Sequence, residues 1–140
     1  MRIAEMILLQ LPEWFGIPES TAQYIRTCGE MPLWADFDGE CCRGFIAMKQ
    51  TSDCAAELHV MGVVPEFHGR GIGRRLFEAM RRGAGEMGLT YLHVKTVRMG
   101  VYENYDRTNR FYLAMGFREL ECIPDLWDEA NPCQIYIMTI

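Results

Sequence analysis

No stretch of this 140-residue chain approaches the roughly 20 consecutive apolar residues that a membrane-crossing helix requires. The early Ile7-Leu8-Leu9 run is too short for a signal core, and no small-residue cleavage pattern accompanies it. The expectation is therefore a cytoplasmic protein with no membrane partner. Cysteine pairs at metal spacing are missing too. The six cysteines (Cys28, Cys41, Cys42, Cys54, Cys122 and Cys133) include no CxxC pair, and none of the three histidines stands at ligand spacing from them. Reduced, mostly buried thiols and no metal are expected. Positive charge is also scarce: the net charge of −5 argues against bulk nucleic-acid binding. Repeats, low-complexity tracts and linkers are absent, so 1–140 is expected to form one domain with room for a sizeable core.

What basic charge there is lies unevenly. Of fourteen Lys and Arg residues, Arg70, Arg74, Arg75, Arg81 and Arg82 fall close together. Arg81 and Arg82 are near the expected end of a helix, where they would complement its dipole. Arg70, Arg74 and Arg75 are at the opposite end, so they point to a local anion site.

That site is announced by 63–76. A β-branched strand end, Val63-Val64-Pro65, leads into Gly69-Arg70-Gly71-Ile72-Gly73 and then into an amphipathic helix. Ile72, Leu76, Phe77, Met80, Ala84 and Met87 recur at helical spacing, predicting a helix over 71–87 capped by Gly88. Unpaired amides at a helix start carry partial positive charge and suit a pyrophosphate. The turn is not a Walker loop, since Arg74-Arg75 stand where Lys-Ser/Thr would be. Nor is it a dinucleotide fingerprint, since the glycine spacing is wrong.

Elsewhere, strands are predicted over 2–10, 33–37, 44–49, 54–64, 91–97, 117–122 and 134–140, with an Asp38-Gly39 hairpin turn. Further helices are predicted over 20–28 and 107–115, the latter stopped by Gly116. Strands dominate the first half and one strand–helix–strand unit occupies the middle, which describes an α/β layer with a mixed sheet.

Two motifs then carry a resemblance. The first is Val63-Val64-Pro65 followed by His68-Gly69-Arg70-Gly71-Ile72-Gly73. The second is Tyr105, Thr108, Phe111-Tyr112 and Gly116-Phe117. In this order the chain closely resembles the GNAT superfamily of acetyl-CoA-dependent N-acetyltransferases over roughly 40–125. His68 replaces the usual Arg or Gln, and Tyr105 and Thr108 replace the usual Asn and Ala. The resemblance implies a single-domain, mixed, largely antiparallel sheet of about seven strands. Its central parallel pair would splay apart, and about four helices would flank it.

The resemblance also implies an acyltransferase that moves an acetyl group from acetyl-CoA to a primary amine, small-molecule or peptide, in a ternary complex. Coenzyme A would lie where the strands splay. Met61 and Val63 would contact its pantetheine arm, and the Met61 amide would hold the thioester oxygen. The pyrophosphate would rest on the amides from Gly69 to Arg74, through Ile72 and Gly73. His68, Arg70 and Arg74 would assist, and the glycines would permit close approach.

A lysine-like amine has a pKa near 10.4, so freeing it of its proton at pH 7 costs roughly 4.6 kcal/mol. Glu57 is the expected base, because some relatives carry a glutamate there. Strand alternation puts it on one face with His59, Met61 and Val63, and His59 is the alternative base or part of a water relay. Tyr112 is the expected acid for the departing thiolate. Trp14, Phe15, Trp34 and 98–106 are expected around the acceptor, while the segment Trp127–Cys133 has no assigned role. The competing reading is a non-catalytic acyl-CoA binding or sensing module on the same fold. Homodimer formation is left open.

Overall fold

The computed structural model describes residues 31–140. The expected strand over 2–10, the helix over 20–28 and the Trp14–Phe15 pair lie outside them. Six strands occur in the described residues: β1 (Leu33–Asp38), β2 (Cys41–Gln50), β3 (Ala55–Val63), β4 (Tyr91–Val97), β5 (Arg118–Asp128) and β6 (Asn131–Thr139). Two α-helices, α1 (Ile72–Glu86) between β3 and β4 and α2 (Glu103–Met115) between β4 and β5, and a 3-10 turn over Pro65–Phe67 accompany them. The described residues thus hold six strands and two α-helices where seven and four were expected.

The strands form one sheet in the order β1-β2-β3-β4-β6-β5. Every neighbouring pair is antiparallel except β3 with β4. That exception follows from α1, which carries the chain back so that β4 restarts beside the beginning of β3.

Alternation along β3 buries Ala56, Leu58, Val60 and Gly62 and leaves Glu57, His59, Met61 and Val63 half-buried on the other face. Against the buried face α1 lays Ile72, Leu76, Phe77, Met80 and Ala84, the stripe its spacing predicts. Phe77 is wholly enclosed and sits 5.6 Å, ring centre to ring centre, from Phe117. Burying a side chain of that size contributes about 2 kcal/mol. Trp34, expected at the acceptor, instead presses its ring on Gly83 of α1 and belongs to the core. Any side chain at position 83 would collide with that ring.

Two boundaries differ from expectation. Helix α2 starts a turn early, at Glu103 rather than 107. Extended Tyr102 precedes it, Glu103 and Asp106 place negative charge in its first turn, and Asp106 Oδ1 accepts the Gly100 amide at 2.7 Å. Strand β5 runs on to Asp128 instead of stopping at Cys122, so Trp127–Cys133 is the tip of a β5–β6 hairpin. Pro124 does not end β5, because β5 is an edge strand and the pairing register shifts there.

Candidate active site

The parallel ladder between β3 and β4 consists of Ala55↔Tyr91, Ala56↔Leu92 and Glu57↔His93. Beyond it β3 continues on β2 as far as Val63, and β4 continues on β6 as far as Val97. Residues 58–63 and 94–97 therefore diverge without joining each other. The Val64 amide donates to Arg43 O at 2.8 Å, on the β2 side. Strand alternation then turns the amides and carbonyls of Met61 and Val63 toward the gap. A cavity of about 980 Å³ fills this opening, the size of a small-molecule site.

The wide end of the gap is formed by the turn between β3 and α1. Gly69 and Gly71 sit at φ of 79° and 77°, a left-handed conformation that side chains other than glycine's rarely adopt. No side chain caps the start of α1, and no acidic residue lies in its first turn. Its dipole end is left to attract an anion. Gly73 lies so close to α2 that a Cβ there would stand 3.3 Å from the Phe111 ring.

Most of the residues expected at the cofactor gather here. Met61, Val63, His68, Gly69, Gly71, Ile72, Gly73 and Arg74 all line the cavity. Arg70 does not; its guanidinium stacks on Phe67 at 5.3 Å. Arg75 turns away to Asp36, at 3.3 Å. His68 Nε2 lies 2.7 Å from the Val63 carbonyl. A carbonyl only accepts, so this ring nitrogen donates, and the histidine braces the strand end from which the turn departs.

The narrow end is built from side chains. Glu57 is only 12 % exposed, with Lys95 Nζ at 2.5 Å, His59 Nδ1 at 3.8 Å and His93 Nδ1 at 3.9 Å. Burial alone would raise the Glu57 pKa, but His59, Lys95 and the charge near His93 outweigh it and hold the carboxyl at about 2. Burial lowers the His93 pKa, against the pull of Glu57. His93 Nε2 also meets Thr51 Oγ1 at 2.7 Å. Glu57 itself does not line the cavity, whereas His59 and Lys95 do. Tyr112 lines it from α2, with its ring against Phe111, Phe117 and Tyr136.

Lys95 and Asn109 were not anticipated, and the Trp127–Cys133 segment had no assigned role. Lys95 shares the Tyr91-His93 face of β4, a periodicity visible in the sequence, but only the parallel register brings it to Glu57. Trp127, Asp128 and Asn131 reach the cavity from the β5–β6 tip, where Asn131 Nδ2 donates to Asp128 Oδ1 at 2.8 Å. Asn109 is wholly buried behind the wall formed by α2. Among the described residues no cluster of His, Cys, Asp or Glu could hold a metal ion, and no helix is long and apolar enough to cross a membrane.

Among the described residues the sheet is split at its single parallel pair, with an uncapped glycine turn at the wide end. Residues 30–119 match the model of the acetyltransferase (GNAT) domain, and the chain belongs to that family. No curated protein matches the sequence. Among solved structures it is similar to an aminoglycoside 6'-N-acetyltransferase complexed with coenzyme A, at 19 % identity and a TM-score of 0.77, covering 97 % of this chain and 89 % of that one. It is also similar to the aminoglycoside 6'-N-acetyltransferase of Enterococcus faecium, at 17 % identity and a TM-score of 0.77, covering 98 % and 90 %. Ard1 of Thermoplasma volcanium matches at 14 % identity and a TM-score of 0.78, covering 99 % and 92 %. At such identities the likeness is one of fold.

Proposed function

We propose that the protein is an acetyl-CoA-dependent N-acetyltransferase acting on a primary amine in a ternary complex. The observation that carries this reading is the opened β3–β4 pair with a glycine turn at its mouth. The residues suit the cofactor: nothing lies within 4 Å of where a Cβ would stand at Gly69 or Gly71, so the cradle is open to a bulky anion. The amides of 69–74 would hold the diphosphate with Arg74 beside them, while the backbone of Met61 and Val63 would hold the pantetheine arm. Acetyl-CoA supplies an activated acyl group; the protein must align it, free the amine of a proton and assist the departing sulfur.

The base role falls to Glu57 and His59 together. A carboxylate with a pKa of about 2 keeps a proton poorly. Glu57 therefore serves as the anion behind His59, the cavity-lining ring that accepts the amine's proton, and stabilises the charge gained there. Tyr112, on the facing wall, protonates the thiolate. A fold of this kind also suits a binding or sensing module, and thiol release over a panel of amines separates the two. Acceptor-dependent release of free coenzyme A is expected. Tight coenzyme A binding with no release on any amine would favour the sensor.

A further inference from the structure

We propose that Asn109 is a positioning residue that sets the width of the cofactor gap, by locking the open end of β4 to helix α2. The proposal rests on the acetyltransferase reading for the identity of the ligand. Asn109 is 0 % exposed. Its Nδ2 donates to Val97 O at 2.8 Å and to Tyr105 O at 2.7 Å, and its Oδ1 accepts the Tyr136 hydroxyl at 2.5 Å. Val97 is the last residue of β4, in the stretch that has parted from β3. Tyr105, Thr108, Phe111 and Tyr112 of α2 line the cavity on either side of position 109.

The buried residues of α2 are Asn109, Tyr112 and Met115. Asn109 is thus the one fully buried side chain in the first nine residues of α2, and it is an amide. If filling space were the only demand, leucine would serve at lower desolvation cost. Hydrogen bonds do something apolar packing does less well: they fix direction and distance within a few tenths of an ångström. Burial and Glu119 raise the Tyr136 pKa, which keeps its hydroxyl a donor. The amide thereby joins three partners, on β4, α2 and β6, with no polar atom of its own unused.

Coenzyme A affinity and thermal stability, measured together, test this. Asn109→Leu is expected to weaken coenzyme A binding about tenfold, and Tyr136→Phe, which keeps the ring and removes one bond, about threefold. The KM for acetyl-CoA should rise by similar factors, with smaller losses in kcat. Leu89→Ala, a core truncation outside the cavity lining, is the stability control and should lower Tm without changing affinity. If Asn109→Leu does not fold, Tyr136→Phe decides. Wild-type affinity in the folded variants, or an equal loss in Leu89→Ala, overturns the proposal. Failure of the wild-type protein to bind coenzyme A removes the acetyltransferase reading first, and this proposal with it.

Discussion

The wide end of the gap is lined by backbone, and its narrow end is lined by side chains. At the wide end, two left-handed glycines and an uncapped helix start leave little for a side chain to contribute; Arg74 adds charge from the edge. At the narrow end, two strands deliver Glu57 and His59 from β3 and Thr51-adjacent His93 and Lys95 from β4 into one cluster, each position dependent on register. A backbone site tolerates exchange of most side chains but not a change of glycine conformation. A side-chain cluster tolerates neither exchange nor slippage of a strand, since a slip of one residue would turn every member to the other face. The two ends should therefore fail in different ways.

The sharpest separation comes from Gly71→Val. Position 71 sits at φ of 77° and a β-branched residue is strained there whatever the space. The strain and the displaced amides of the α1 start should together weaken coenzyme A binding by about a hundredfold or more, which calorimetry on the folded variant would measure. Binding within a factor of three of wild type would mean that the turn does not carry the diphosphate.

The opposite end should lose rate and keep affinity. Tyr112→Phe retains the ring that packs on Phe117 and Tyr136. It is expected to reduce turnover about a hundredfold, the scale of general acid catalysis. Glu57→Gln, acting one step back through His59, is expected to cost about tenfold. In both, the coenzyme A dissociation constant should stay within about twofold. Full rates in both variants on the true acceptor would remove the assigned roles and leave the wide end standing alone.

The difference between the two ends also explains what was legible in the sequence. Gly69-x-Gly71-x-Gly73 after Val63-Val64-Pro65 is a local pattern, so nearly all of the residues that line the wide end of the cavity could be named from it. Arg70 is the exception, because Phe67, three residues earlier, offers its guanidinium a ring face. The spacing of Ile72, Leu76, Phe77, Met80 and Ala84 likewise fixed α1 and its buried face. Lys95 escaped because its meeting with Glu57 depends on a pairing between segments separated by all of α1. Asn109 escaped because a polar residue inside a helix reads as solvent-facing until its partners on β4 and β6 are placed. The hairpin tip was not placed because a strand ending at Cys122 leaves it in a loop, and only the edge position of β5 permits that strand to continue through Pro124.

The Lys95–Glu57 pair can be probed by acid. Glu57 has a folded pKa of about 2, below its ordinary 4.5. A depressed carboxylate contributes stability that is present above the unfolded value and lost as pH falls through the folded one, so the loss should develop from about pH 4.5 down to about 2. His93 adds a separate loss below about pH 6.5, since burial disfavours its charged form. Lys95 is 40 % exposed, so solvent screening limits what its removal costs. Lys95→Met is expected to destabilise the protein by about 1 kcal/mol at neutral pH. That deficit should shrink as the pH falls below about 4.5, because Glu57 without Lys95 takes up its proton first, while in the wild-type protein it stays ionised down to about 2. Denaturant titrations at pH 7 and pH 3.5 would measure it. A deficit independent of pH would mean that Lys95 contributes packing, not charge.

The smallest expected effect lies on an element that forms neither end, the β5–β6 tip. Trp127 is 48 % exposed yet lines the cavity beside Asp128, whose carboxylate Asn131 holds in place. A half-exposed ring contributes little to folding, so Trp127→Ala should leave Tm within about 2 °C of wild type, as for surface substitutions generally. It should leave coenzyme A affinity unchanged too, because the glycine turn proposed to hold the diphosphate lies at the start of α1, on another element. What it should change is acceptor KM, upward by about threefold to fivefold, with kcat nearly constant, the signature of lost uniform binding. Acceptor kinetics at saturating acetyl-CoA give the readout. If acceptor KM stays fixed while affinity for coenzyme A falls, the hairpin tip belongs to the cofactor's wall, and the division between a backbone end and a side-chain end must be redrawn to include it.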